Sequence, residues 1–115
     1  QRFQESEEMY KLALAIYERL AKANPQAYEP DLAGSYNNLA IVYYDTERIQ
    51  ECEEMFKSAL AIREHLAEEA PQVYGPALAQ AYSNLVFLYN ETQRYAESEE
   101  MANTAAAIRE RLGIE

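Results

Sequence analysis

The sequence predicts an all-α protein, a superhelical stack of antiparallel helix pairs (an α-solenoid) built from five helices. Three observations predict it. The chain repeats itself at a spacing of 46 residues, apolar residues recur at helical intervals within each copy, and prolines fall at matching places between the apolar runs. The phrase ESEEMY at Glu5–Tyr10 returns as ECEEMF at Glu51–Phe56 and as ESEEMA at Glu97–Ala102. Residues 24–69 match residues 70–115 at 23 of 46 positions without a gap, far above chance. Internal repetition at such a period marks an array whose units pack on one another, because a single unit cannot bury its own apolar face. The expected organisation is one repeat domain over residues 1–115, made of a half repeat 1–23 and full repeats 24–69 and 70–115.

Taken in order, the chain opens near the start of a second-type helix, which carries the first ESEE phrase. A first-type helix is then expected to follow the proline near Tyr28 and run to about Asp45. Pro30 and Pro76 are read as first-turn prolines, since a proline at the opening of a helix loses no hydrogen bond. Leu32, Tyr36, Leu39 and Tyr43, spaced 4, 3 and 4 apart, form one apolar stripe. The next second-type helix is expected from near Arg48 to about Glu69, with Cys52, Met55, Phe56, Ala59, Ile62 and Leu66 facing inward. Pro25 and Pro71 mark the far ends of second-type helices, because the residue before a proline disfavours helix. The second copy repeats both helices. In the last helix Ala102 and Ala106 replace the bulkier Phe56 and Leu60. Trimming of this kind suits a terminal face, so the array is expected to end near Glu115.

Composition narrows the function classes. The 115 residues carry 20 acids against 10 bases, a net charge of −10. That balance disfavours phosphate backbones and anionic bilayers, so neither nucleic acid nor membrane is an expected partner. No apolar run approaches the roughly 20 residues of a membrane span. Cys52 is the only cysteine and His65 the only histidine, so a multi-thiolate zinc site is excluded and no nucleophile, base and orienting group come together in a recognisable pattern. No catalytic residue, metal or cofactor is expected. The acids of the repeated phrase lie in the first turns of second-type helices, where each complements the helix dipole by roughly 0.3–1 kcal/mol. Glu7 and Glu53 precede Lys11 and Lys57 by four residues, the favoured ion-pair order. The phrase therefore reads as scaffold rather than as a cation site.

Tyr36-x2-Leu39-Ala40-x2-Tyr43 followed by Cys52-x3-Phe56, and Tyr82-x2-Leu85-Val86-x2-Tyr89 followed by Ser98-x3-Ala102, resemble the tetratricopeptide repeat pattern W-x2-L-G-x2-Y, then A-x3-F. Tyr stands for Trp, Ala or Val for Gly, and the period is 46 rather than 34. The longer period is similar to that of extended kinesin-light-chain-like and bacterial tetratricopeptide proteins. The resemblance covers the whole chain. It implies a right-handed superhelix and a non-catalytic scaffold for protein–protein interaction, and a cytoplasmic setting is expected.

Candidate binding residues lie on the first-type helices, on the side away from Leu39 and Tyr43. At about 100° per residue, Gly34, Asn38, Ile41 and Asp45 share that side in one copy, flanked by Asn37 and Tyr44. Gln80, Asn84, Phe87 and Glu91 share it in the next, flanked by Ser83 and Asn90. Such a side lines the concave groove of stacked repeats. Asn38 and Asn84 offer donor and acceptor to a peptide backbone, and the resemblance implies that they form part of an asparagine ladder. Asp45 and Glu91 favour a basic peptide. The alternative is a structural or self-assembling segment of a larger repeat protein. In particular, Tyr10, Leu14 and Tyr17 are expected to be left uncovered on the N-terminal helix and to drive self-association.

Overall fold

The computed structural model describes residues 2–114. Five α-helices follow one another: α1 (Arg2–Ala23), α2 (Pro25–Asp45), α3 (Ile49–Glu69), α4 (Pro71–Glu91) and α5 (Tyr95–Leu112). No strand occurs among the described residues. Contacts group the chain into two compact units, residues 1–62 and residues 63–115, with the boundary inside α3.

The starts of α2 and α4 differ from the sequence expectation. Both helices begin at Pro25 and Pro71, five residues earlier than Pro30 and Pro76, which lie inside them. Pro25 and Pro71 occupy the N-terminal position, where the missing N–H costs nothing. A single residue joins each pair of helices. Asn24 (φ −146°, ψ 82°) and Ala70 (φ −142°, ψ 79°) are extended, the conformation that a following proline imposes. The prolines at the sixth helical position instead remove one intrahelical bond each, a local cost of about 3 kcal/mol that packing must override.

In the first unit α1 packs on α2. The core is made by Ala33, Leu39, Ala40, Val42 and Tyr43 of α2, by Ala21 of α1, and by Cys52, Phe56 and Ala59 of α3. Ala33, Ala40 and Cys52 are completely buried, as small residues at close helix contacts should be. The turn from α2 to α3 is Thr46–Arg48. The Thr46 hydroxyl donates to the Val42 carbonyl at 2.9 Å, Glu47 adopts φ 62°, and the Arg48 N–H reaches the Tyr43 carbonyl at 2.7 Å. The Arg48 guanidinium then lies 4.3 Å from the Tyr43 ring centroid.

The second unit repeats the scheme. Here α4 packs on α5, burying Ala79, Ala81, Leu85, Leu88 and Tyr89 with Ser98 and Ala105 of α5 and Leu66 of α3. Thr92 bonds the Leu88 carbonyl at 2.9 Å, Gln93 has φ 62°, and Arg94 stacks on Tyr89 at 4.3 Å. Near its start α4 comes very close to the end of α5. A Cβ on Gly75 would sit 2.5 Å from a Leu112 methyl, so glycine permits this approach.

The N-terminal helix presents a different side from the one expected. Tyr10, Leu14 and Tyr17 are half-buried, on the helix that packs against α2. Met9, Leu12 and Ile16 are the exposed apolar residues instead, at 68%, 63% and 42%. The sequence reading took the wrong edge of the stripe, because α1 has two apolar edges and only one of them meets α2.

Candidate functional site

The candidate residues lie on α2 in the first unit and on α4 in the second. On α2, Asn38, Ile41 and Asp45 are exposed, while Gly34, Asn37 and Tyr44 are half-buried. Ile41 is 46% exposed although it is apolar. Asn38, Ile41, Val42 and Asp45 form one wall of a cleft of about 200 Å³, and Arg2, Phe3, Ser6 and Tyr10 of α1 form the other. The 46-residue period aligns Arg2 with Arg48 and Arg94 and Phe3 with Ile49 and Tyr95, but alignment of copies does not tell that these side chains face Asn38 and Ile41.

On α4, Gln80, Phe87, Asn90 and Glu91 are exposed, with Phe87 at 49%, and Ser83 and Asn84 are half-buried. The two copies are not equivalent in their hydrogen bonding. The Gln80 side-chain amide donates to the Asn84 Oδ1 at 3.1 Å. In the first copy the residue in the place of Gln80 is Gly34, around whose Cβ position there is open space, and Asn38 has no hydrogen bond among the described residues. Ser83 accepts a bond from Arg109 of α5 at 3.2 Å, so it also ties the two helices together.

The side chains around these faces are structural. The Tyr36 hydroxyl donates to Glu18 at 3.0 Å, and the Tyr82 hydroxyl donates to Glu64 at 2.5 Å. Burial, and then the acceptor carboxylate, push the Tyr36 phenol up and the Tyr82 phenol up to about 12. Lys11 and Lys57 meet Glu7 and Glu53 at 3.0 and 3.1 Å, as the four-residue spacing predicts. Arg48 bonds both Glu7 at 2.8 Å and Glu51 at 2.9 Å. The bond from Lys11, aided by Arg48, holds the Glu7 carboxyl below its ordinary value, and Arg48 does the same for Glu51. These arginine bridges and the stacking on tyrosine were missed in the sequence. Their signal was the phrase Thr46-x-Arg48, repeated as Thr92-x-Arg94.

Burial pushes the Cys52 thiol up to about 11, so little thiolate forms near neutral pH. His65 is exposed, with Nε2 3.7 Å from Glu69. Among the described residues no cluster of three or more His, Cys, Asp and Glu is placed to hold a metal ion. Nor is any described helix long and apolar enough to cross a membrane.

A family model described as a tetratricopeptide repeat matches residues 32–70 and 78–112. The chain belongs to the tetratricopeptide repeat family. The paired helices α2–α3 and α4–α5 are its repeats, and tetratricopeptide repeats generally mediate protein–protein interaction or assembly. Among solved structures, the protein is similar in fold to BtubC (BKLC) from P. vanneervenii, with a TM-score of 0.78 at 20% identity. That likeness covers 99% of this tetratricopeptide repeat chain and 43% of the BtubC chain, so the protein spans less than half the length of that neighbour. No curated protein matched the sequence.

Proposed function

We propose that this tetratricopeptide repeat protein is a non-catalytic interaction module that takes up a peptide or helix of a partner protein on the exposed face of α2 in the first unit and on the equivalent face of α4 in the second. The observation that carries the reading is the exposure of Ile41 and Phe87 at the same register. Each lies between an asparagine and a carboxylate, where a face meant only for solvent would be polar. In each unit an apolar side chain of the ligand rests on Ile41 or Phe87, a backbone amide meets Asn38 or Asn84, and a Lys or Arg approaches Asp45 or Glu91. The net charge of −10 supports a basic peptide and speaks against nucleic acid and anionic membranes as partners. The reading includes a cytoplasmic setting.

The test uses a peptide selected from a random display library against the whole chain. Changing Asn38 and Asn84 together to Ala is expected to weaken its binding by roughly 1–3 kcal/mol. Asn38 should carry the larger share, since Gln80 already engages Asn84. Circular dichroism should be unchanged. Wild-type affinity in the folded double variant would refute the role of the asparagines, and loss of helicity would assign them to structure instead.

A further inference from the structure

In the second unit the ends of α3 and α5 and the start of α4 enclose a cleft of about 490 Å³, within the range of about 300–1,000 Å³ usual for ligand sites. Its floor is apolar, made by Gly75 and Leu78 of α4, Ala67 of α3 and Ile108 of α5. The charged residues that line it are Glu64 and Glu68 on the α3 wall and Arg111 on the α5 wall. All three are exposed. Glu64 is held by the Tyr82 hydroxyl at 2.5 Å. Glu68 and Arg111 make no ion pair with each other or with any other described residue.

Comparison between copies isolates what is particular to this cleft. Glu18, Ala21, Lys22, Glu29 and Leu32 also line a cleft, in the first unit, and stand 46 positions before Glu64, Ala67, Glu68, Gly75 and Leu78. Two exchanges separate the sets. Glu18 precedes Lys22 by four residues, the order that stabilises a helix, whereas Glu64 and Glu68 are like charges at that spacing, which destabilise it. Glu29 becomes Gly75, where any side chain would meet Leu112. The second unit thus forgoes a favourable pair and sets two carboxylates on one wall of an apolar cleft, with a guanidinium on the other.

We infer that this cleft docks a segment of a partner protein in which one apolar side chain is flanked by a cation and a carboxylate. The apolar side chain lies on Leu78 and Ile108, the cation meets Glu64 and Glu68, and the carboxylate meets Arg111. A segment with two cations sets one of them against Arg111, and a segment with two acids sets one against Glu68. None of the lining residues belongs to the α4 face of the proposed function, so the two readings fail independently.

Fluorescence polarisation with the whole chain and dye-labelled, end-capped peptides tests the inference. Three probes share a Gly-Ser frame and carry Lys-Leu-Glu, Glu-Leu-Glu or Lys-Leu-Lys at the centre. Glu68→Lys should weaken binding of the Lys-Leu-Glu probe and strengthen that of the Glu-Leu-Glu probe, each by about tenfold. Arg111→Glu should weaken the Lys-Leu-Glu probe and strengthen the Lys-Leu-Lys probe to a similar extent. Helicity should be unchanged in both, since both positions are exposed and a lysine already stands at the register of Glu68 in the first unit. Changing Asn38 and Asn84 to Ala should leave the affinity for the Lys-Leu-Glu probe unaltered. No binding of that probe up to about 1 mM overturns the inference. So does binding that neither charge variant alters, or a preference that does not follow the exchanged charge.

Discussion

Tyr36 and Tyr82 show how a residue on the core stripe can also act as a latch. Each is half-buried and gives its hydroxyl to a glutamate eighteen positions earlier, Glu18 or Glu64. Their helical spacing identified both as packing residues. Their hydrogen bonds were not legible, because Glu18 and Glu64 look like any other solvent-facing acid until the helices are set side by side. Titration makes the latch measurable. The folded-state Tyr82 phenol is raised to about 12, above its ordinary value of about 10. Its contribution to stability is therefore complete below about pH 10 and is lost as the pH rises through about 12. Glu7 and Glu51 act on the other limb. Their lowered pKa values give stability that is present above the ordinary carboxylate range and is lost as the pH falls through the folded-state values. Melting temperature against pH should fall at both ends, and Tyr82→Phe should shrink the alkaline fall alone. An unchanged alkaline limb in that variant would remove Tyr82 from the account.

Among the elements, helix type and C-terminal boundaries were readable and the starts of α2 and α4 were not. Asp45 and Glu91 end α2 and α4, and Glu69 ends α3, as the periodicity indicated. The starts failed because two prolines compete within six residues, and a proline inside the first turns looks like a proline that opens a helix. Pro25 and Pro71 open the helices, while Pro30 and Pro76 are carried within them. An internal proline removes the N–H that would meet the carbonyl four residues earlier, here that of Gln26 for Pro30. Replacing Pro30 with Ala should accordingly raise stability by roughly 1–3 kcal/mol in chemical denaturation. A destabilised Pro30→Ala variant would mean that the ring itself makes packing contacts that outweigh the missing bond. The turns Thr46–Arg48 and Thr92–Arg94 were likewise unread, since the left-handed conformations of Glu47 and Gln93 fall on residues that do not advertise them.

The whole molecule was legible where repetition spoke and obscure where it did not. The 46-residue period led to five helices and to the tetratricopeptide family. It also led to a candidate face on which none of the twelve named residues, from Gly34 to Glu91, is fully buried. What the period concealed is the difference between copies. Gly34 stands where Gln80 engages Asn84, and Leu12 is exposed where Ser58 and Thr104 are half-buried. A repeat read by its consensus averages away such departures, and they bear most on binding. The central claim is that a partner peptide binds the exposed face of α2 in one unit and the equivalent face of α4 in the other. Amide chemical-shift mapping of the isotope-labelled chain, titrated with a library-selected peptide, tests it most directly. The account predicts that the largest shifts cluster at Asn38, Ile41, Asp45, Asn84, Phe87 and Glu91. Shifts concentrated instead on the outer side of α1 around Met9, Leu12 and Ile16, with those six residues unmoved, would contradict it.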